Sequence, residues 1–68
     1  MSSEAVILKA DASFDLEVEV GDKVNKGDIL GTQPDSEPLV SPTRAAIKEI
    51  KFNSSQHCFE IILFEESS

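Results

Sequence analysis

The sequence predicts an all-β domain, and three observations carry that expectation. Phe14, Leu16, Val18 and Val20 alternate with Asp15, Glu17 and Glu19, the period-two signature of a strand with one buried and one solvated face. Gly21, Gly27, Gly31, Pro34, Pro38 and Pro42 punctuate the chain at short intervals. No 11-residue window shows helical spacing free of turn residues. Six or seven short strands with turns between them point to a sandwich or barrel.

The elements follow in order. Ala5-Val6-Ile7-Leu8 is a short apolar run with β-branched content, long enough for a strand and too short for a helix. Ser13 to Val20 is the alternating strand, and its acidic row is read as a solubilising face. Gly21 to Asp28 is rich in turn residues around one apolar residue, Val24, with Gly21, Asp22 and Gly27 as the turn formers. Ile29-Leu30 reads as a very short strand ended by Gly31. Gln33 to Pro38 is a second turn, since its prolines remove two backbone donors. Leu39-Val40 is another short strand, and Ser41-Pro42-Thr43-Arg44 turns again.

Ala45 to Phe52 reads as a strand with a defect. Ala45 and Ile47 share one parity, whereas Ile50 and Phe52 share the other, so a bulge is expected near Lys48-Glu49. Asn53 to Gln56 is a polar turn. Cys58 to Phe64 is apolar on both parities, as a strand buried on both sides or covering a partner would be. Of that segment, Cys58, Ile62 and Phe64 form the candidate partner surface.

Composition narrows the function classes. Sixty-eight residues make one domain over 1–68, with its core at about 5–66 and free ends at the first three and last two residues. Such a chain buries only about 60% of its unfolded surface, which leaves little room for a substrate pocket. Thirteen acids against six bases give a formal charge of -7, the wrong sign for nucleic acid or an anionic membrane. No apolar stretch approaches the ~20 residues of a membrane-spanning helix, and Met1-Ser2-Ser3-Glu4 does not open a signal peptide. A cytoplasmic location is the resulting expectation.

Candidate chemistry is sparse. Cys58 is the single cysteine, so no internal disulfide is expected, and with His57 alone it makes no zinc site. His57 and Cys58 are adjacent, and neighbours on a strand point to opposite faces, so they cannot serve one substrate atom. The Asp22 to Asp28 stretch fails as a calcium loop, because Val24 and Lys26 stand where oxygen ligands are needed. Asn53-Ser54-Ser55 satisfies a glycosylation sequon but is read as chance. Glu60, Glu65 and Glu66 are read as a solvated acidic end. No catalytic residue, cofactor or metal ligand is expected, and the chain is not read as an enzyme.

Val18-Glu19-Val20-Gly21-Asp22-Lys23-Val24-Asn25-Lys26-Gly27-Asp28-Ile29-Leu30 resembles the V-x-x-G-D-x-V-x-x-G-x-x-L core of biotinyl/lipoyl attachment domains. Ser41 to Ile50 resembles the family's second element, A/S-P-x-x-G-x-V-x-x-I. Together the two matches span most of residues 5–52. The resemblance implies a barrel-sandwich hybrid, two small antiparallel sheets with quasi-two-fold symmetry, in which Ser13–Val20 and Ala45–Phe52 are equivalent strands. It also implies a cofactor lysine at the hairpin tip between the halves. Here that tip is Gln33 to Pro38, which holds no lysine and is shorter than in a carrier. Ala45 replaces the family glycine after Ser-Pro, and Asn53 to Gln56 replaces the final Gly-Asp turn.

A domain that keeps this fold without its swinging arm resembles the degenerate members that act as rigid contact modules in larger assemblies. The expected function is therefore non-catalytic docking to a protein partner, with no nucleic acid and no membrane insertion. An atypical carrier that uses Ser36 or Lys26 is the alternative, and self-association through edge strands is also left open.

Overall fold

The computed structural model describes residues 5–66; the expected free ends lie outside them. Six strands form in the order β1 (Ala5–Asp11), β2 (Lys23–Val24), β3 (Ile29–Thr32), β4 (Pro38–Val40), β5 (Ala45–Asn53) and β6 (Cys58–Glu65). There is no helix among them. One sheet has the order β1-β6-β5-β2 and curls as a half-barrel, and the second pairs β3 with β4. Every pairing is antiparallel.

The long strand β6 organises the larger sheet. Its inward residues Phe59, Ile61 and Leu63 stand opposite Ala10, Leu8 and Val6 on β1. On the other side they meet Phe52, Ile50 and Ile47 of β5. Ile61 and Leu63 are fully buried, and with Ala10, Val24, Leu30, Leu39, Ala45 and Ile47 they form one core cluster. The other parity of β6, with Ile62 and Phe64, lies on the outer face of the sheet, where Ile62 is half-buried and Phe64 exposed.

The bulge in β5 lies where the parity switch demands. Ile47 pairs with Leu63 and Glu49 with Ile62, so Lys48 is the extra residue. Without it, Ile47 and Ile50 could not both face inward.

The segment Ser13–Val20 departs from expectation. It is not a laddered strand: apart from the local turn bond from Phe14 N–H to the Asp11 carbonyl at the end of β1, its backbone bond to a strand is from Glu17 N–H to the Leu30 carbonyl, 2.8 Å. Leu16 and Val18 do pack against the core, whereas Phe14 and Val20 are exposed. Period two reports which side chains share a face, and an extended chain satisfies it without a hydrogen-bonded neighbour. The two sheets are consequently unequal, four strands and two, and this segment is not the structural equivalent of β5.

Two turns repeat six residues apart. In Glu19–Asp22 and in Asn25–Asp28 the third residue is glycine with positive φ, 98° at Gly21 and 91° at Gly27. In each, the aspartate carboxylate accepts a bond from the first residue's N–H, at 2.9 Å for Glu19 and 2.8 Å for Asn25. Each glycine N–H then donates to the facing chain, Gly21 to the Ile47 carbonyl at 2.9 Å and Gly27 to the Ser41 carbonyl at 2.8 Å. These glycines are the ones that need the left-handed region.

Gly31 is different, and the expectation that it ends a strand is wrong. It lies inside β3, paired with Leu39. A β-carbon there would come within 3.1 Å of Leu16 Cδ2 and 3.5 Å of Ala10 Cβ. The missing side chain lets the unladdered segment and β1 close over the small sheet. Pro42 is exposed in the bend after Ser41, whose buried hydroxyl donates to the Thr43 carbonyl.

The β3–β4 hairpin is closed by Gln33 N–H to the Glu37 carbonyl, 2.7 Å, and Ser36 N–H to the Gln33 carbonyl, 2.9 Å. Ser36 holds φ at 73°, a position that normally takes glycine in this kind of hairpin. Ser36→Gly is therefore expected to raise stability by about 0.5–1 kcal/mol, the relief of left-handed strain less glycine's greater unfolded entropy. Urea unfolding checks it. A lowered midpoint would mean that Ser36 contributes more through its hydroxyl than it costs through its backbone.

Candidate interaction face

The outward parity of the larger sheet is the surface the fold leaves uncovered. Register places Ile7 beside Ile62 and Ala5 beside Phe64 on β1 and β6, and Ala46 beside Phe64 on β5. Ile7 is 60% and Phe64 39% exposed, and Ile62 is half-buried between its neighbours. Below this apolar strip, Lys9, Glu60 and Lys51 form a cross-strand row. The extra residue Lys48 reaches back so that its Nζ lies 5.4 Å from the Phe64 ring centroid, within cation–π range. Lys51 pairs with Glu49 at 3.7 Å, an exposed contact of little energetic weight.

Of the three residues expected on the partner surface, Ile62 and Phe64 are on this face and Cys58 is not available there. Cys58 is 2% exposed. It begins β6 between Asp11 and Asn53, and Gln56 of the preceding turn folds over it, with Oε1 3.8 Å from Sγ. Position at the sheet end, under a turn, overrides the outward parity. The adjacent His57 holds φ at 52° and packs edge-on against Phe52, centroids 6.0 Å apart.

Ile7 belongs to the face although the sequence did not single it out. All four residues from Ala5 to Leu8 are apolar, so the run carries no alternation. Its parity is set only by pairing with β6.

The remaining chemistry is dispersed. The hairpin tip presents Pro34, Asp35, Ser36 and Glu37, all exposed, and no amine. Lys26 is exposed in the Asn25–Asp28 turn and Lys23 pairs weakly with Glu66 at 3.9 Å. Among the described residues, no group of three or more His, Cys, Asp or Glu is placed to hold a metal ion. No described helix is long and apolar enough to cross a membrane. No family model matches the chain, and no curated protein or solved structure matches it either.

Proposed function

We propose that the chain is a barrel-sandwich hybrid of the biotinyl/lipoyl type that lacks its attachment lysine, and that it works as a non-catalytic docking module for another protein. The observation that carries the docking reading is the exposed strip of Ile7, Ile62 and Phe64 on the outer sheet face. An apolar strip rimmed by charges is the surface type that protein partners cover. The fold reading is supported by the paired Gly-Asp turns, the inward Val24 between them, and the short hairpin that follows.

The test compares wild-type protein with Phe64→Asp as bait in a lysate of the native host. Phe64 is partly exposed and lies beside Lys48, so an aspartate there is tolerated by the isolated fold. The expected result is one stoichiometric set of proteins held by the wild type and lost by at least tenfold with the variant. Equal recovery by both baits would remove this face from the interaction. A circular-dichroism spectrum lost in the variant would assign Phe64 to the core instead.

Ser36, exposed at the tip with a left-handed backbone, keeps a carrier reading in view. Intact mass of the protein purified from its own host separates the two. The docking reading expects the mass of the unmodified chain; an acyl or prosthetic-group increment on Ser36 or Lys26 would replace it with a carrier.

A further inference from the structure

We propose that two copies of the chain pair through β1, antiparallel, about a two-fold axis at Ile7, joining their four-stranded sheets into one of eight. The proposal concerns the sheet edge and goes beyond the docking face described above.

β1 is an outer strand of the larger sheet. Ala12 N–H donates to the His57 carbonyl at 3.1 Å, which continues the β1–β6 ladder one residue further. Alternation along an antiparallel ladder then directs the polar backbone groups of Val6, Leu8 and Ala10 toward β6. Those of Ala5, Ile7 and Lys9 point away from the sheet. Among the described residues no other backbone group pairs with them.

Two of the usual protections of a strand edge, a bulge and a proline, are missing here, and Lys9 is the one charge among the three outward-directed residues. The β1–β6 register runs through seven pairs without a bulge, and β1 contains no proline. The other edges are guarded. β2 has two residues, and the small sheet has short strands, one opening on Pro38.

The register that uses every outward group of this edge has its axis at Ile7. With the axis at Ile7, Ile7 faces its own copy and Ala5 faces Lys9 on either side. All three N–H and all three carbonyl groups of Ala5, Ile7 and Lys9 are then used. The apolar row from Ile62 to Ile7 continues unbroken into the second copy. Moving the axis to Lys9 would oppose two ammonium groups. Moving it to Leu8 would draw in Asp11, whose carbonyl already accepts from Phe14 N–H at 3.3 Å.

The charge pattern agrees. The rows nearest the join carry Lys9, Glu60, Lys51 and Glu49, two of each sign, although the chain as a whole is at -7. Local charge does not oppose the contact, and the long-range repulsion of two acidic copies is screened by salt. Three residues from each copy make a small interface, so the dimer belongs to the weak class.

Sedimentation equilibrium from about 10 μM to about 1 mM, at low and at moderate salt, tests the proposal. Wild type is expected to be monomeric at the lower limit and substantially dimeric at the upper, more so at higher salt. Ile7→Lys and Ile7→Glu each place like charges on the axis and should weaken the dimer by tenfold or more. Both are tolerated by the fold because Ile7 is exposed, which circular dichroism checks. Mixed in equal amounts, the two variants should dimerise more tightly than either alone, since Lys then faces Glu. A wild type that stays monomeric at ~1 mM would overturn the proposal. So would a mixture no tighter than its components, because that outcome removes Ile7 from the axis. Either failure leaves the Phe64 docking test untouched.

Discussion

Ile61→Ala is expected to remove half or more of the stability of the protein. Ile61 is fully buried on the inner face of the central strand, with Leu8 on one side and Ile50 on the other. Truncating a buried isoleucine to alanine costs about 2–5 kcal/mol, the higher end where neighbours cannot close the cavity. Both flanking strands are hydrogen-bonded to β6, so collapse around position 61 is restrained. Domains carry about 0.05–0.15 kcal/mol per residue, which for this chain is roughly 3–10 kcal/mol in all. Urea unfolding followed by circular dichroism, at low micromolar protein, measures the difference. Ile7→Ala is the control: an exposed position should change stability by no more than about 0.5 kcal/mol. A loss below about 1 kcal/mol for Ile61→Ala would mean that the inner face is loosely packed.

The second large effect is expected from the paired turns. Gly21→Ala and Gly27→Ala should each cost about 1–2 kcal/mol, the penalty for an L-residue held in the left-handed region. No atom lies within 4 Å of an added β-carbon at either position, so the loss comes from the backbone and not from a clash. Neither turn can relax to another type without giving up its bond to Ile47 or Ser41. The double variant should lose about 2–4 kcal/mol if the sites are independent. A chain of this length is open to total synthesis, which permits a sharper comparison. D-Alanine adopts positive φ readily. It is expected to match or exceed glycine in stability, by up to about 1 kcal/mol, because it restricts the unfolded chain. A D-alanine variant as unstable as the L-alanine one would show that the side chain, and not the backbone angle, is what these positions reject.

The local features of the fold were legible because their causes are local. Gly21 and Gly27 sit where turn chemistry requires positive φ. The β5 bulge could be read from the mismatch of parity between Ile47 and Ile50, which a two-residue period cannot absorb otherwise. The Gln33–Pro38 hairpin followed from its prolines and polar residues. Gly31 was misread because a glycine that permits close approach looks the same in sequence as one that turns the chain.

The candidate face was only half legible. Ile62 and Phe64 could be found because β6 has more apolar residues than one core face needs. Cys58, two positions before Glu60 on the same parity, is instead covered by Gln56. Ile7 could not be found at all, since a run of four apolar residues has no phase of its own.

By itself the sequence determined the β class, the glycine turns at Gly21 and Gly27, the Gln33–Pro38 hairpin, the bulge, and the absence of a lysine at the hairpin tip. Those are properties of residue type and of neighbours along the chain. Tertiary structure alone decided that residues 13–20 cross the core without joining a ladder, that β1 is left at an edge, and which apolar side chains face outward. Pairing and register depend on a partner strand distant in sequence, and no periodicity within one segment contains that information.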